Sequence, residues 1–277
     1  MKKTIQQMHQ EIFYPTVRVR ANRAGGSGTV VYSKKYKGEA HTYIITNHHV
    51  IQSCIKIEKK WDPILKKKID KEILDTVQIE YFKYNNYSRC IGSYAVEADI
   101  VGYSEINGGE DWALLRTRDL ENLAKSVAHI YPLDKIDDIH IFDKVYACGA
   151  SLGHPPIATE GHVSYLDDEI DHHKYWMSTA QTIFGNSGGA IYRWSGKRKK
   201  YEYIGMPSRI SVRLSGFSED AITHMGYFIP LNRIYGLLEQ NNYSFIYDSN
   251  TTIEKCIQAQ KAVLDNPFSI EDDEDES

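Results

Sequence analysis

The sequence predicts an all-β protein whose strands close into antiparallel barrels, with one short helix inserted in a loop and helices after the last strand. Three observations predict this. Tyr, Val, Ile and Thr are abundant in strand-sized runs, and Gly, Asn and Asp break those runs at short intervals. No regular alternation of strand and long helical pattern exists, which argues against a parallel α/β sheet. At 277 residues the chain is long enough for one large all-β domain or two closely packed barrels.

The predicted strands, in order, are Thr16–Arg20, Gly28–Ser33, Thr42–Thr46, Thr76–Tyr81, Ala98–Val101, Trp112–Arg116, Lys144–Ala147, His162–Tyr165, Gly189–Tyr192, Tyr203–Met206 and Gly226–Pro230. Each alternates or runs apolar over four to six residues, bounded by turn formers. The inserted helix is predicted over Trp61–Leu74. There Asp62 is a cap, Pro63 suits a first helical position, and Leu65, Ile69 and Ile73 recur every four residues. Its lysines are expected to face water. Leu231–Glu239 and Thr252–Leu264 read as the C-terminal helices. These features divide the chain into a two-barrel domain over 1–240, a helical extension over 241–268 and a disordered acidic tail over 269–277.

Charge and cysteine usage narrow the function classes. The formal charge is −4, and six carboxylates sit together in Glu271–Glu276, so the rest of the chain is close to neutral and makes no case for nucleic acid. Cys54, Cys90, Cys148 and Cys256 are far apart with no CxxC pair, which points to free thiols rather than a zinc site or disulfide framework. His172-His173 lies beside Asp168, Glu169 and Asp171, but adjacent ligands in such a run have poor coordination geometry, so no metal is expected. Residues 1–15 lack an apolar run and no stretch is long enough to span a bilayer; the expected location is cytoplasmic, without a membrane partner.

Three short motifs carry chemistry. Thr46-Asn47-His48-His49-Val50 ends an apolar strand, Asp111-Trp112-Ala113-Leu114-Leu115 leads an acidic residue into one, and Gly185-Asn186-Ser187-Gly188-Gly189 precedes another. A serine hydroxyl needs a base within hydrogen-bond reach to become a nucleophile. An imidazole takes that proton and returns it to the leaving group, and a carboxylate orients the imidazole. Glycines around the serine suit a tight turn that aims backbone amides at a developing oxyanion. The Gly149-Ala150-Ser151-Leu152-Gly153 run matches a nucleophile-elbow pattern, but that motif needs a following helix. His154-Pro155-Pro156 opposes one, so the run is expected to be a turn.

These residues resemble the trypsin-like peptidases, and among them the HtrA (DegP-type) protease domains. Gly26-Ser27-Gly28-Thr29-Val30-Val31 resembles that family's first core strand, and TNHHV its histidine motif, which selects His49 over His48. The segment EADIVGYSEINGGEDWALLRT resembles the approach to its aspartate and selects Asp111 over Asp99; VYACGASLGHP, GHVSYL, GNSGGAIY, YIGMPSRI and MGYFIPLNRI resemble its remaining motifs. The resemblance runs from about Thr16 to Ile234. It implies two six-stranded-type antiparallel β-barrels and a serine endopeptidase acting on polypeptide substrates, without cofactor or metal. His49, Asp111 and Ser187 would form the triad and the amides of Gly185 and Ser187 the oxyanion hole.

It also implies substrate contacts at Gln181, Thr182, Ser208, Arg209 and Ile210. Gln181 and Thr182 would lie near the base of the primary pocket; neither is acidic, so the counter-charge for Arg or Lys is missing. Arg209, on the pocket wall, suits acidic or polar side chains. The chain departs from the family in three places, the first being the Trp61–Leu74 insertion, which lengthens a loop near the base. The sequence after Pro230 is too short for a PDZ module, and Asn186 stands where trypsin has the aspartate that pairs with a new N-terminus, so no such zymogen switch is expected. The alternative function is a catalytically silent pseudopeptidase that binds peptides or proteins, and a regulatory protein partner fits either reading.

Overall fold

The computed structural model describes residues 4–22, 24–63, 66–85, 89–104, 109–215 and 218–265. They divide into two compact units, residues 1–231 and 232–277. The expected acidic tail over 269–277 lies outside the described residues.

The first unit holds two closed six-stranded antiparallel barrels. The first barrel is built from β1 (Thr16–Arg20), β2 (Gly25–Tyr36), β3 (Glu39–Thr46), β6 (Val77–Asn85), β7 (Arg89–Tyr103) and β8 (Ala113–Thr117), in the spatial order β1-β2-β3-β8-β7-β6. Alternation places Val17 and Val19 of β1 inside, where they meet Val30, Ile44, Val77, Ile79, Ala98 and Leu115. Arg18, between them on β1, points outward to the Glu80 carboxylate, which also takes Arg20 and the Ser93 hydroxyl.

The second barrel runs β10-β11-β14-β13-β12-β9. Its strands are β9 (Lys144–Gly149), β10 (Ile157–Ile170), β11 (His173–Ser178), β12 (Ala190–Ser195), β13 (Lys200–Ser215) and β14 (Ser218–Pro230). Its buried residues include the aromatics Tyr175, Tyr192, Tyr203 and Phe228. A short α1 (Ile5–Met8), continued by a π-helical turn over His9–Phe13, leans on this barrel. There the Glu11 carboxylate accepts the Tyr201 amide at 2.7 Å, and the Gln7 side chain donates to the Lys199 carbonyl.

The predicted inserted helix is not one. β4 (Ile55–Asp62) and β5 (Lys67–Leu74) form a two-stranded hairpin, with Ile55 opposite Leu74 and Asp62 opposite Lys67. A spacing of four is compatible with a helical period of 3.6, but being even it also keeps Ile69 and Ile73 on one face of a strand. Those two are half-buried while their β5 neighbours are exposed. Pro63 sits just beyond the end of β4, and Lys66 takes a positive φ of 48° before β5 begins.

In the C-terminal unit, α3 (Leu231–Gln240) and α4 (Ile253–Asp265) match the two predicted helices to within a residue or so. The Gln260 side chain of α4 donates to the carbonyls of Asn241 and Asn242 that follow α3. The ring of Tyr235 packs edge-on to Tyr247, with 4.2 Å between centroids.

Candidate active site

The His49 side of the candidate site comes from the first barrel. β3 ends at Thr46, and after the extended residue Asn47 the chain turns into a single helical turn, α2 (His48–Ile51). Successive residues there point in different directions. His48 is buried against Tyr103, and burial holds its imidazole below its ordinary pKa. His49 points out, with nearly half of its side chain exposed.

Asp111 immediately precedes Trp112, which is buried and hydrogen-bonded to Ser104 on both sides. Its backbone is in the left-handed region (φ 50°), and the Asn47 side chain donates to its carbonyl at 2.8 Å. The carboxylate, 17% exposed, is fully engaged. His49 donates its backbone N–H to Oδ1 at 3.0 Å, its Nδ1 lies 3.0 and 2.9 Å from Oδ1 and Oδ2, and the Ser208 hydroxyl donates to Oδ2 at 2.5 Å. Burial works to raise the Asp111 pKa, but the hydrogen bonds from His49 and Ser208 prevail and hold it below the usual carboxylate range. An ionised carboxylate only accepts, so Nδ1 carries the imidazole proton and Nε2 is the free basic nitrogen.

The Ser187 side lies in the turn before β12. Gly185 and Gly188 have φ of 94° and 83°, and a Cβ on Gly188 would come within 2.3 Å of the Ser27 carbonyl and the Thr46 hydroxyl. Glycine is required there on both counts. Ser187 itself is half-buried, and its carbonyl accepts the Ser27 amide at 2.8 Å. Among the described residues the amides of Gly185 and Ser187 have no acceptor. Those of Asn186, Gly188 and Gly189 bond to Ile183, Pro207 and Asn186.

His49 and Ser187 line one cavity of about 250 Å³. No hydrogen bond joins them among the described residues; contacts of this kind are often long in unliganded enzymes and tighten with substrate. Thr182, Ser208, Arg209 and Ile210 line the same cavity. Gln181 falls instead into an adjoining cavity of about 240 Å³, bordered by Ser151, Leu152 and Thr223. Thr182 contributes to both, and its buried hydroxyl has no hydrogen-bond partner among the described residues. The Arg209 guanidinium is already engaged: it bonds to Asp171 at 2.7 Å and lies over the Tyr175 ring, 5.1 Å from its centroid. It lines the cavity all the same, with the rest of its guanidinium donors not taken up by that bond.

Ser151 is buried, with its hydroxyl on the Asn186 side chain, in a turn that leads through extended His154 to β10 rather than into a helix. The turn reading of the Gly149–Gly153 run therefore stands. Sequence reasoning missed Ser27, whose hydroxyl bridges the two barrels by donating to Gly185 and accepting from Ala150, at 2.6 and 2.7 Å. It also missed that Ser208 serves Asp111. Neither has a local signal beyond its place in a resembling motif. Of the histidine pair, His172 is almost wholly exposed and His173 faces Glu110 at 3.3 Å. No group of three or more His, Cys, Asp or Glu among the described residues is arranged to hold a metal ion.

The family model described as the trypsin-like peptidase domain matches residues 26–198, well over half of the chain. No curated protein matches this chain. Among solved structures it is similar to a serine endoprotease from Yersinia pestis, with 20% identity and a TM-score of 0.53 over 87% of this chain and 67% of that one. It is also similar to an HtrA-type protease, AlgW, solved with a tripeptide, with 18% identity and a TM-score of 0.55 over 89% of this chain and 65% of that one. The chain thus spans about two thirds of each, and likeness at such identity speaks for the fold alone. With a family model matching more than half of its length, the chain belongs to the trypsin-like peptidase family.

Proposed function

We propose that the protein is a serine endopeptidase that hydrolyses polypeptides through an acyl-enzyme. The observation that carries this reading is the Asp111 carboxylate, which takes three donors and turns the basic nitrogen of His49 loose in the cavity that Ser187 lines.

In this mechanism His49 Nε2 removes the Ser187 hydroxyl proton as Oγ attacks the scissile carbonyl carbon. The tetrahedral oxyanion is received by the Gly185 and Ser187 amides, which have no other acceptor among the described residues. His49 then gives its proton to the leaving amine. Water repeats the sequence on the acyl-enzyme, with His49 again as base. Asp111 stays ionised throughout, orienting the ring and stabilising the imidazolium. The substrate is an extended segment laid along Ser208–Ile210, with its cleaved residue directed toward Thr182.

The missing contact between His49 and Ser187 favours one rival, a silent member of the family that only binds. A fluorophosphonate probe separates the two. The endopeptidase labels at Ser187 and the Ser187→Ala variant does not; a wild type that stays unlabelled in every condition tried, candidate partners included, overturns the peptidase reading.

A further inference from the structure

The loop that carries Ser187 is gripped by a second, sequence-distant loop, the Gly149–Gly153 turn after β9. The Leu152 amide donates to the Phe184 carbonyl at 2.8 Å. The Ser151 hydroxyl donates to Asn186 Oδ1 at 2.8 Å, and the Ile183 amide donates to the same oxygen at 3.0 Å. The Ser27 hydroxyl ties Ala150 to Gly185. From the first barrel, the Arg18 guanidinium, itself held by Glu80, donates to the Gly153 carbonyl at the far end of the turn.

These contacts bear on the direction of the two unpaired amides. Among the described residues no peptide bond is cis, so each carbonyl there points opposite to the N–H of its own peptide group. The Leu152 hydrogen bond to the Phe184 carbonyl therefore turns the Gly185 N–H away from the turn. In the same way, the Gly189 amide on the Asn186 carbonyl turns the Ser187 N–H away from Gly189. Leu152 pays for its part in backbone conformation: its φ is 51°, a region a leucine seldom occupies, while its side chain is largely exposed and gains little there. Ser151 next to it is buried and its hydroxyl is directed at Asn186 alone. Asn186 has no charge with which to form an ion pair, so its buried carboxamide is held by these neutral donors.

We propose that the Gly149–Gly153 turn sets the oxyanion amides, with Ser151 as a positioning residue that locks Asn186 and thereby keeps the Leu152–Phe184 hydrogen bond closed. The consequence for rate rests on the peptidase reading; the consequence for loop order does not. Two measurements test it. Steady-state kinetics on a peptide substrate should show Ser151→Ala lowering kcat by roughly tenfold with KM within about twofold, and Ser151→Thr recovering most of the loss. Amide exchange followed by NMR in a Ser187→Ala background, which needs no activity, should show faster exchange at Leu152 on adding Ser151→Ala, again recovered by Ser151→Thr. Unchanged Leu152 exchange in the Ser151→Ala chain overturns the inference, whatever the activity. So does exchange that accelerates throughout the second barrel with kcat, KM and Tm all worsening, since that is general loss of packing. If the wild type proves inactive, the peptidase reading fails and the exchange experiment alone decides the role of the turn.

Discussion

The two halves of the site are held by different means. Around Asp111, donors converge on one side chain: the His49 ring and backbone N–H and the Ser208 hydroxyl, the last from β13 of the second barrel, meet its carboxylate within 2.5–3.0 Å. Around Ser187 the backbone is what is held: Ser187 sits between two glycines of positive φ, and the loop is fixed by main-chain bonds to Ser27, Leu152 and Pro207 together with the Ser27 and Ser151 hydroxyls. The His49–Asp111 side is thus joined by its own side chains, whereas the Ser187 side depends on a loop whose conformation others impose. Substitutions should therefore fail differently on the two sides, through electrostatics in one and through geometry in the other.

The largest effect should come from the residues that move the proton. Ser187→Ala or His49→Ala should each lower kcat by about 10⁵-fold or more, and the double variant little further, because the groups act as one unit. Additive losses measured by steady-state kinetics would show that the two do not work together. Asp111→Asn should cost on the order of 10⁴-fold, since a carboxamide can hold the wrong tautomer of His49. Ser208→Ala should cost far less, roughly tenfold, because Asp111 keeps its bonds to His49. A loss as large as that of Asp111→Asn would make Ser208 a full member of the proton path.

A pH series sharpens the same contrast. Asp111 has a depressed carboxyl pKa in the folded state, so the stability it contributes is present above the ordinary value of about 4 and is lost as pH falls through the folded value. The Tm advantage of the wild type over Asp111→Asn should be greatest near neutral pH and shrink steadily below about pH 4. An advantage that grows on acidification would reverse the assignment. The smallest effect concerns the thiols. Cys90 is exposed, whereas burial pushes the Cys148 thiol up to about 12 and Cys54 and Cys256 are buried. Native-state alkylation read by mass spectrometry should modify Cys90 first and leave Cys148 intact.

Much of this was legible in the chain because its signals are local. The strand Val17-Arg18-Val19 announces its own inner and outer faces, and the three motifs carry His49, Asp111 and Ser187 with their turn glycines beside them. The failure at Trp61–Leu74 was local too: a four-residue spacing fits both a helix and one face of a strand, and only the pairing of Ile55 with Leu74 selects between them. β11 was overlooked for a related reason. His173–Ser178 is mostly polar at its start, and it is a strand because β10 and β14 flank it.

By itself, the sequence determined the all-β class, the order of the chemical groups and which of two adjacent histidines resembles the base. Tertiary structure alone decided how those groups are supported. Ser27 meets Gly185 across 158 positions, Ser208 reaches Asp111 across 97, and Ser151 reaches Asn186 across 35. Hydrogen bonds between residues so far apart leave no periodicity or spacing in the chain; they exist only once closure of both barrels has brought the loops together.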